Sequence, residues 1–366
     1  MGLVLESVNK VVGREIHLKD INLDLASGSR HVVLGRTLAG KTSLLRIMAG
    51  LDKPTEGRIL VDGLDMTGVM VRKRSVAMVY QQFINYPSLT VYKNIASPLK
   101  LAGLSKSEID DRVRRTAAML HIEDLLNRLP SELSGGQQQR TAIARALVKD
   151  TELLLLDEPL VNLDYKLREE LRIELQQIFE RREAIVVYTT TEPAEALMMG
   201  GNIMVMDEGL VLQSGPTAEV YHRPASMKVA EIFSDPPINF IAGEVKGDKA
   251  WLGQRISIPL TGHLSGLAEG SYTFGIRCNH LFVNASTPDD IQIRATVELC
   301  EINGSETFIH AAYENNKLVV QDSGVQQLRI GREIVVYSHP CNFFVYDTHG
   351  RLAAAPDEAC AARPMQ

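Results

Sequence analysis

The chain has 366 residues, 45% of them hydrophobic and 23% charged, and a formal net charge of −6. Those values fit a globular protein long enough for two domains, each with its own core. They argue against a nucleic-acid binder, because a phosphate backbone asks for a basic face, and no apolar run approaches the ~18 residues of a membrane-spanning helix.

The first sixteen residues carry Glu6, Lys10, Arg14 and Glu15 in an amphipathic pattern rather than the apolar centre of a secretory leader. A soluble, cytoplasmic chain is expected, with any membrane work done through partner subunits. Leu3 to Leu25 reads as strand, turn, strand, with Ile21, Leu23 and Leu25 alternating on one face. His31 to Leu34 is a short buried strand that enters a glycine-bounded loop, and Thr42 to Ala49 follows with helical periodicity. A hairpin-like stretch from Gly57 to Gly63 precedes another strand, Val76 to Val79.

Between Ser88 and about Pro130 the period becomes helical. Ser105 and Glu108 form a capping box, and Ile109, Val113, Ala117 and Leu120 recur on one face. This predicts a helical insert, residues 88–135, within an α/β domain. The alternation then resumes: helix Gln137 to Val148, strand Glu152 to Leu156, helix Asp164 to Arg182, strand Ala184 to Tyr188 and helix Pro193 to Met199. A strand pair follows, Ile203 to Met206 and Leu210 to Leu212.

Pro216, Pro224, Pro236 and Pro237 mark a linker region. After it come short alternating segments, Tyr272 to Arg277, Ile291 to Leu299, Thr307 to Ala311, Lys317 to Gln321, Glu333 to Tyr337 and Asn342 to Tyr346, which predict a small all-β barrel or sandwich. The domains expected are 1–234 and 235–352, with a disordered tail over 353–366. Cys278, Cys300, Cys341 and Cys360 form no CxxC pair, so reduced, buried thiols are expected rather than a metal site or disulfides.

The chemistry concentrates in the first domain. Gly35, Arg36, Thr37, Leu38, Ala39, Gly40, Lys41 and Thr42, with Ser43 beyond, fit the phosphate-binding P-loop between a strand and a helix. Glycines let backbone N–H groups turn inward around phosphate oxygens, and the helix N-terminus adds partial positive charge. Lys41 reaches the β- and γ-phosphates of ATP, and Thr42 can ligate Mg2+. Four leucines ending in Asp157 and Glu158 supply the acidic end of a buried parallel strand. There Asp157 would hold Mg2+ and Glu158 would orient or deprotonate the attacking water.

Leu133, Ser134, Gly135, Gly136 and Gln137 open the next helix. Here the chain resembles the ABC transporter ATPases: this is their signature, Gln81 matches their Q-loop, and Asn162, Leu163 and Asp164 match their D-loop. The resemblance implies an α/β P-loop NTPase with a RecA-like core and helical subdomain, followed by an OB/TOBE-like β-domain. It also implies that two ATPase domains sandwich two ATP molecules head to tail. Lys41, Thr42, Gln81, Asp157 and Glu158 then serve one nucleotide, with Gln81 also near the metal, while Ser134 to Gln137 serve the partner's. The later segments FSDPPINFIAGEV and YTFGIRCNHL look like the C-terminal domain of sugar-importer ATPases of the maltose and glycerol-phosphate type. The P-loop and TTTEP runs look closest to one of the two ATPases of a bacterial glycerol importer.

The sequence departs from that family in its own nucleotide site. The family's catalytic His position falls on Thr191, whose hydroxyl has a shorter reach and carries no charge. The aromatic residue that stacks on adenine falls on Val12, and no Phe, Tyr or Trp precedes Tyr80, although His17 stands nearby. Stacking is worth ~1–3 kcal/mol per base. Val161 stands where a Ser is usual. The signature, which serves the partner, is intact. The resemblance therefore implies one weak and one competent site, beside a second, non-identical ATPase. It also implies two permease subunits at the cytoplasmic face of a bacterial inner membrane, a periplasmic solute-binding protein acting indirectly, and no nucleic acid. A groove near Gln81, Phe83, Tyr86 and Pro87 is expected to receive a permease helix. Translation factors with two cassettes and chromosome proteins with coiled-coil inserts fit less well, since neither feature is present.

Overall fold

The computed structural model describes residues 1–161, 163–180 and 182–357, and divides into two compact units, the first Met1–Thr217 and the second from Ala218 onward. That break lies ahead of the boundary at 234 drawn from the sequence. Among the described residues, no helix is long and apolar enough to cross a membrane.

In the first unit, β1 (Leu3–Val12) and β2 (Glu15–Leu25) form a hairpin, followed by β3 (Arg30–Gly35), α1 (Lys41–Ala49), β4 (Glu56–Val61), β5 (Leu64–Asp65) and β6 (Val76–Val79). Next come α2 (Val91–Leu101), α3 (Lys106–Met119), α4 (Gly135–Leu147), β7 (Leu153–Asp157), α5 (Tyr165–Glu180), β8 (Ile185–Thr190), α6 (Pro193–Met199), β9 (Asn202–Asp207) and β10 (Leu210–Pro216). One sheet has the order β2-β1-β4-β5; the other runs β10-β9-β3-β8-β7-β6, parallel except at β10. The parallel strands have apolar centres because both their faces are covered, as in the fully buried β7 with its four leucines. Leu44, Leu45 and Met48 of α1 pack with Leu155, Val187 and Met206 of that sheet and with Leu3 and Ile21 of the other. Helices α2 and α3 lie within the stretch 88–135 expected as a helical insert. Ser105 caps α3 with the reciprocal Glu108 bond, and Ile109, Val113, Ala117 and Leu120 are buried.

The second unit opens with α7 (Thr217–His222) and α8 (Met227–Ile232), where the sequence suggested only linker. Each helix is under two turns, too short to show periodicity, and is held by burial of Val220, Val229 and Ile232. Arg277 stacks 3.6 Å over the Tyr221 ring and donates to the Tyr221 carbonyl (2.6 Å). The remainder is all-β: β11 (Asn239–Lys246), β12 (Lys249–Leu252), β13 (Ile256–Pro259), β14 (Gly270–Ile276), β15 (Ile291–Asn303), β16 (Glu306–Tyr313), β17 (Asn316–Ser323), β18 (Glu333–Ser338), β19 (Phe344–Tyr346) and β20 (Leu352–Ala354). They form two antiparallel sheets, β13-β12-β11-β14-β19-β20 and β17-β16-β15-β18, around Ile241, Phe274, Ile293, Ile309 and Val336.

Strand β20 enters the stretch expected as a tail; residues 358–366 of that stretch, with Cys360, lie outside the described residues. The cysteines differ from expectation in part. Cys278 is buried, and burial pushes its thiol up to about 11, but Cys300 and Cys341 are half-exposed; no disulfide joins any of the three to a described residue.

Candidate functional site

Two glycines shape the loop between β3 and α1. A Cβ on Gly35 would lie 2.5 Å from the Met206 carbonyl. Gly40 has φ +100°, and a Cβ there would lie 2.6 Å from the His17 carbonyl, so only glycine fits. Gly40 is the N-cap of α1 without a side-chain cap, which leaves the first N–H groups of that helix free to face an anion. Arg36, Thr37 and Leu38 form the exposed apex, with Leu38 in the left-handed region, while Ala39 is buried beneath.

Lys41 is only 4% exposed. Its Nζ donates to the carbonyls of Gly35 (2.7 Å) and Arg36 (3.0 Å) and pairs with Glu158 Oε1 at 3.0 Å. Gln81 Nε2 donates to the other Glu158 oxygen at 3.1 Å. The Thr42 hydroxyl donates to Asp157 Oδ1 at 3.1 Å. Burial pushes Asp157 above the usual carboxylate range, opposed by hydroxyl donors on Thr42 and Thr189; the Glu158 charge adds to the rise and Lys41 opposes it. Thus Gln81, Lys41, Thr42, Asp157 and Glu158 form one connected cluster at the carboxyl ends of β3, β6 and β7.

Thr189 is the member that sequence reading missed. Asp157 and Thr189 are partners in the parallel β7–β8 register. The Thr189 hydroxyl donates to Asp157 Oδ1 (3.0 Å) and accepts from the Glu158 backbone N–H (2.9 Å). It thereby holds Glu158 at φ +44°, a conformation uncommon for a side-chain-bearing residue. The signal was the run of three threonines ending β8, but its meaning depends on strand pairing. Thr189→Val keeps the shape and orphans a backbone donor. The expected cost is about 1–3 kcal/mol of stability. A fall in thermal midpoint that Thr189→Ser restores would bear this out; an unchanged midpoint in Thr189→Val would contradict it.

Thr191 is exposed and shares a shallow concavity with Glu158, Leu160, Val161, Glu192 and Glu195. Behind it, buried Glu195 accepts from Tyr188 Oη (2.6 Å) and from the Thr190 hydroxyl. Glu192 pairs with Arg168 of α5 at 2.5 Å. Asn162 of the D-loop lies outside the described residues.

Ser134 to Gln137 sit apart. Among the described residues, no hydrogen bond or ion pair joins them to the Lys41 cluster. They instead cap α4: Ser134 Oγ accepts from the Gln137 N–H (3.4 Å) and Gln137 Oε1 from the Ser134 N–H (3.1 Å). Gly135 is exposed, and a Cβ on Gly136 would overlap Leu167 of α5 at 1.9 Å. Val12 ends β1, 50% exposed, with no Phe, Tyr or Trp in its hairpin. His17 Nδ1 lies 3.0 Å from Ser43 Oγ, which puts an imidazole beside the phosphate loop.

A groove of about 210 Å3 is lined by Met78, Tyr80, Tyr86, Pro98, Leu101 and Arg145. Arg145 lies 4.9 Å over the Tyr86 ring. Of the four residues expected here, Tyr86 lines the groove; Gln81, Phe83 and Pro87 do not.

Residues 18–161 match the family described as ABC transporter. The chain is 35% identical to the sn-glycerol-3-phosphate import ATP-binding protein UgpC of Salmonella typhimurium, across 96% of this chain and 99% of that protein. It is 38% identical to UgpC of Escherichia coli K12 across 87% and 90%. Among solved structures it is similar to the dimeric ATP-binding cassette MJ0796 bound to ADP and Pi, with 31% identity, a TM-score of 0.53 and coverage of 59% of this chain and 98% of that one. It is also similar to cbiO1 of Clostridium perfringens, part of the transporter complex cbiONQ, with 29% identity, a TM-score of 0.55 and coverage of 60% and 90%.

Proposed function

Because this chain belongs to the family of ABC transporter ATP-binding proteins, we propose that it is the ATP-hydrolysing subunit of a solute importer. The solute is a small polyol, sugar or polyol phosphate, in keeping with the glycerol-phosphate importers it resembles. The observation that carries the reading is the cluster joining the P-loop to Asp157, Glu158 and Gln81. The subunit works at the cytoplasmic face of a bacterial inner membrane beneath two permease subunits.

Lys41 faces the β- and γ-phosphates, exchanging its Glu158 partner for phosphate oxygens. The α1 N-terminus supplies further donors to the same oxygens. Asp157, Thr42 and Gln81 fit Mg2+: one carboxylate beside a hydroxyl and an amide oxygen is a hard oxygen set that leaves room for phosphate and water. When bound, Mg2+ neutralises charge on the phosphates. Glu158, freed from Lys41, accepts the proton of the attacking water, and Gln81 orients that carboxylate through its amide.

The substitutions at Thr191 and Val12 favour a finer reading. This chain's own site is slow, and a second, non-identical ATPase supplies the competent one. Ser134 to Gln137 lie away from the Lys41 cluster and present their capped helix N-terminus to the partner's nucleotide.

The groove beside Tyr86 takes a cytoplasmic helix of a permease. Leu101 is 90% exposed at its rim, an expense in water that an apolar partner would remove. Leu101→Glu is expected to leave Mg-ATP binding by the isolated subunit intact and to prevent co-purification with the permeases. Normal assembly and transport by that variant would move the docking site elsewhere.

A further inference from the structure

A second cavity of about 210 Å3 opens where α3, the end of α4 and the segment leading into β7 meet. Arg112, Arg115 and Thr116 reach it from α3, at spacings of three and four residues that place them on one face. Lys149, Asp150 and Arg182 line it from the other side. Four cations thus face one carboxylate, in a chain whose net charge is −6.

The two inner cations are held without a carboxylate ligand. Lys149 Nζ donates to the Val76 carbonyl at 2.8 Å, and Arg182 donates to the Leu147 carbonyl. Burial pushes both below their ordinary ranges, and only Asp150 counters this at Arg182. Arg112 and Arg115 form no ion pair with a described carboxylate, and Arg112 acts only at longer range on Glu108, one turn earlier in α3. Like charges converging on a half-enclosed space repel one another, and an anion there offsets that mutual repulsion. Arginine forks suit the oxygens of phosphate, which accept two parallel N–H bonds from each guanidinium. The cavity's size suits a small ligand and not a duplex.

We propose that this cavity binds a small phosphate-bearing anion, inorganic phosphate or a phosphate monoester, at a site separate from the P-loop. The anion would bridge α3 to the ends of α4 and β7 opposite those carrying Ser134 and Asp157.

The full chain carrying Lys41→Ala, which lacks the P-loop cation, is titrated by calorimetry with inorganic phosphate and with sn-glycerol 3-phosphate. Saturable binding is expected to persist there. Adding Arg112→Gln and Arg115→Gln should weaken it by at least about tenfold, since each removes charge-assisted bonds. The same arginine pair changed in the otherwise native chain should leave ATP affinity unaltered, which verifies that the fold is intact. A parallel arm measures flotation with vesicles of phosphatidic acid, whose headgroup is a phosphate monoester, against phosphatidylcholine vesicles. Arginine-dependent flotation without binding of soluble phosphate would assign the phosphate to a lipid headgroup. No binding in either arm, or binding indifferent to the arginine pair, overturns the proposal.

Discussion

Lys41→Ala is expected to lower the affinity of the isolated subunit for Mg-ATP by about 100-fold or more. Bonds from a charged donor are worth ~1.5–3 kcal/mol each, and tenfold in affinity is about 1.4 kcal/mol. Lys41 is buried and aimed, with two carbonyls fixing its ammonium beside Glu158. Truncation removes the phosphate-facing charge and also leaves Glu158 unneutralised where the γ-phosphate must come. Repulsion therefore adds to the lost attraction. Lys41→Arg should rescue little, because a longer, planar guanidinium does not reproduce the compact ammonium that the Gly35 and Arg36 carbonyls hold. Equilibrium binding of Mg-ATP measures both variants. Native affinity in Lys41→Ala would remove ATP from this site.

Ser134→Arg is expected to lower turnover of the assembled transporter by about 100-fold or more, the scale of a lost positioned electrostatic group, while ATP binding to the isolated chain is unchanged. The separation follows from geometry: Ser134 caps α4 and makes no bond to the Lys41 cluster. Losing the cap alone costs about 0.5–2 kcal/mol of stability, which Ser134→Ala reports. Ser134→Arg adds a long charged chain at the helix end that we propose faces the partner's γ-phosphate. Steady-state ATPase of the assembled complex, beside nucleotide binding by the free subunit, distinguishes the two effects. Weakened binding in the free subunit would mean that the signature serves this chain's own nucleotide.

Much of this site was legible in the sequence because its chemistry is local. The glycines at 35 and 40 are dictated by close backbone approach and a left-handed φ, and both sit where the P-loop spacing put them. Asp157 and Glu158 were legible as the polar end of an apolar run, which a parallel strand buried on both faces must have. Thr189 was not, because its role exists only through the β7–β8 register. The Lys41–Glu158 pair is likewise a long-range fact that neither motif contains. Beyond residue 216, prolines flanking two short helices read as linker, and α7 and α8 are held by tertiary burial rather than by periodicity. Strands β11 to β13 escaped notice because Gly243 stands in the inward row of β11 and β12 and β13 have only 4 residues each, although Val245, Ala250 and Ile258 are buried.

The central claim is that this chain binds ATP at the Lys41–Asp157–Glu158 cluster and lends Ser134 to a second, faster site. Steady-state ATPase of the assembled transporter tests it most directly, with the catalytic glutamate changed to glutamine in one ATPase at a time. A positioned acid–base group contributes on the order of 10²–10⁴-fold. Thr191 already leaves this chain's site without the usual imidazole. Glu158→Gln should therefore reduce total turnover only modestly, and the equivalent change in the partner should nearly stop it. Equal, complete loss from both variants, or full activity from a homodimer of this chain alone, would contradict the account.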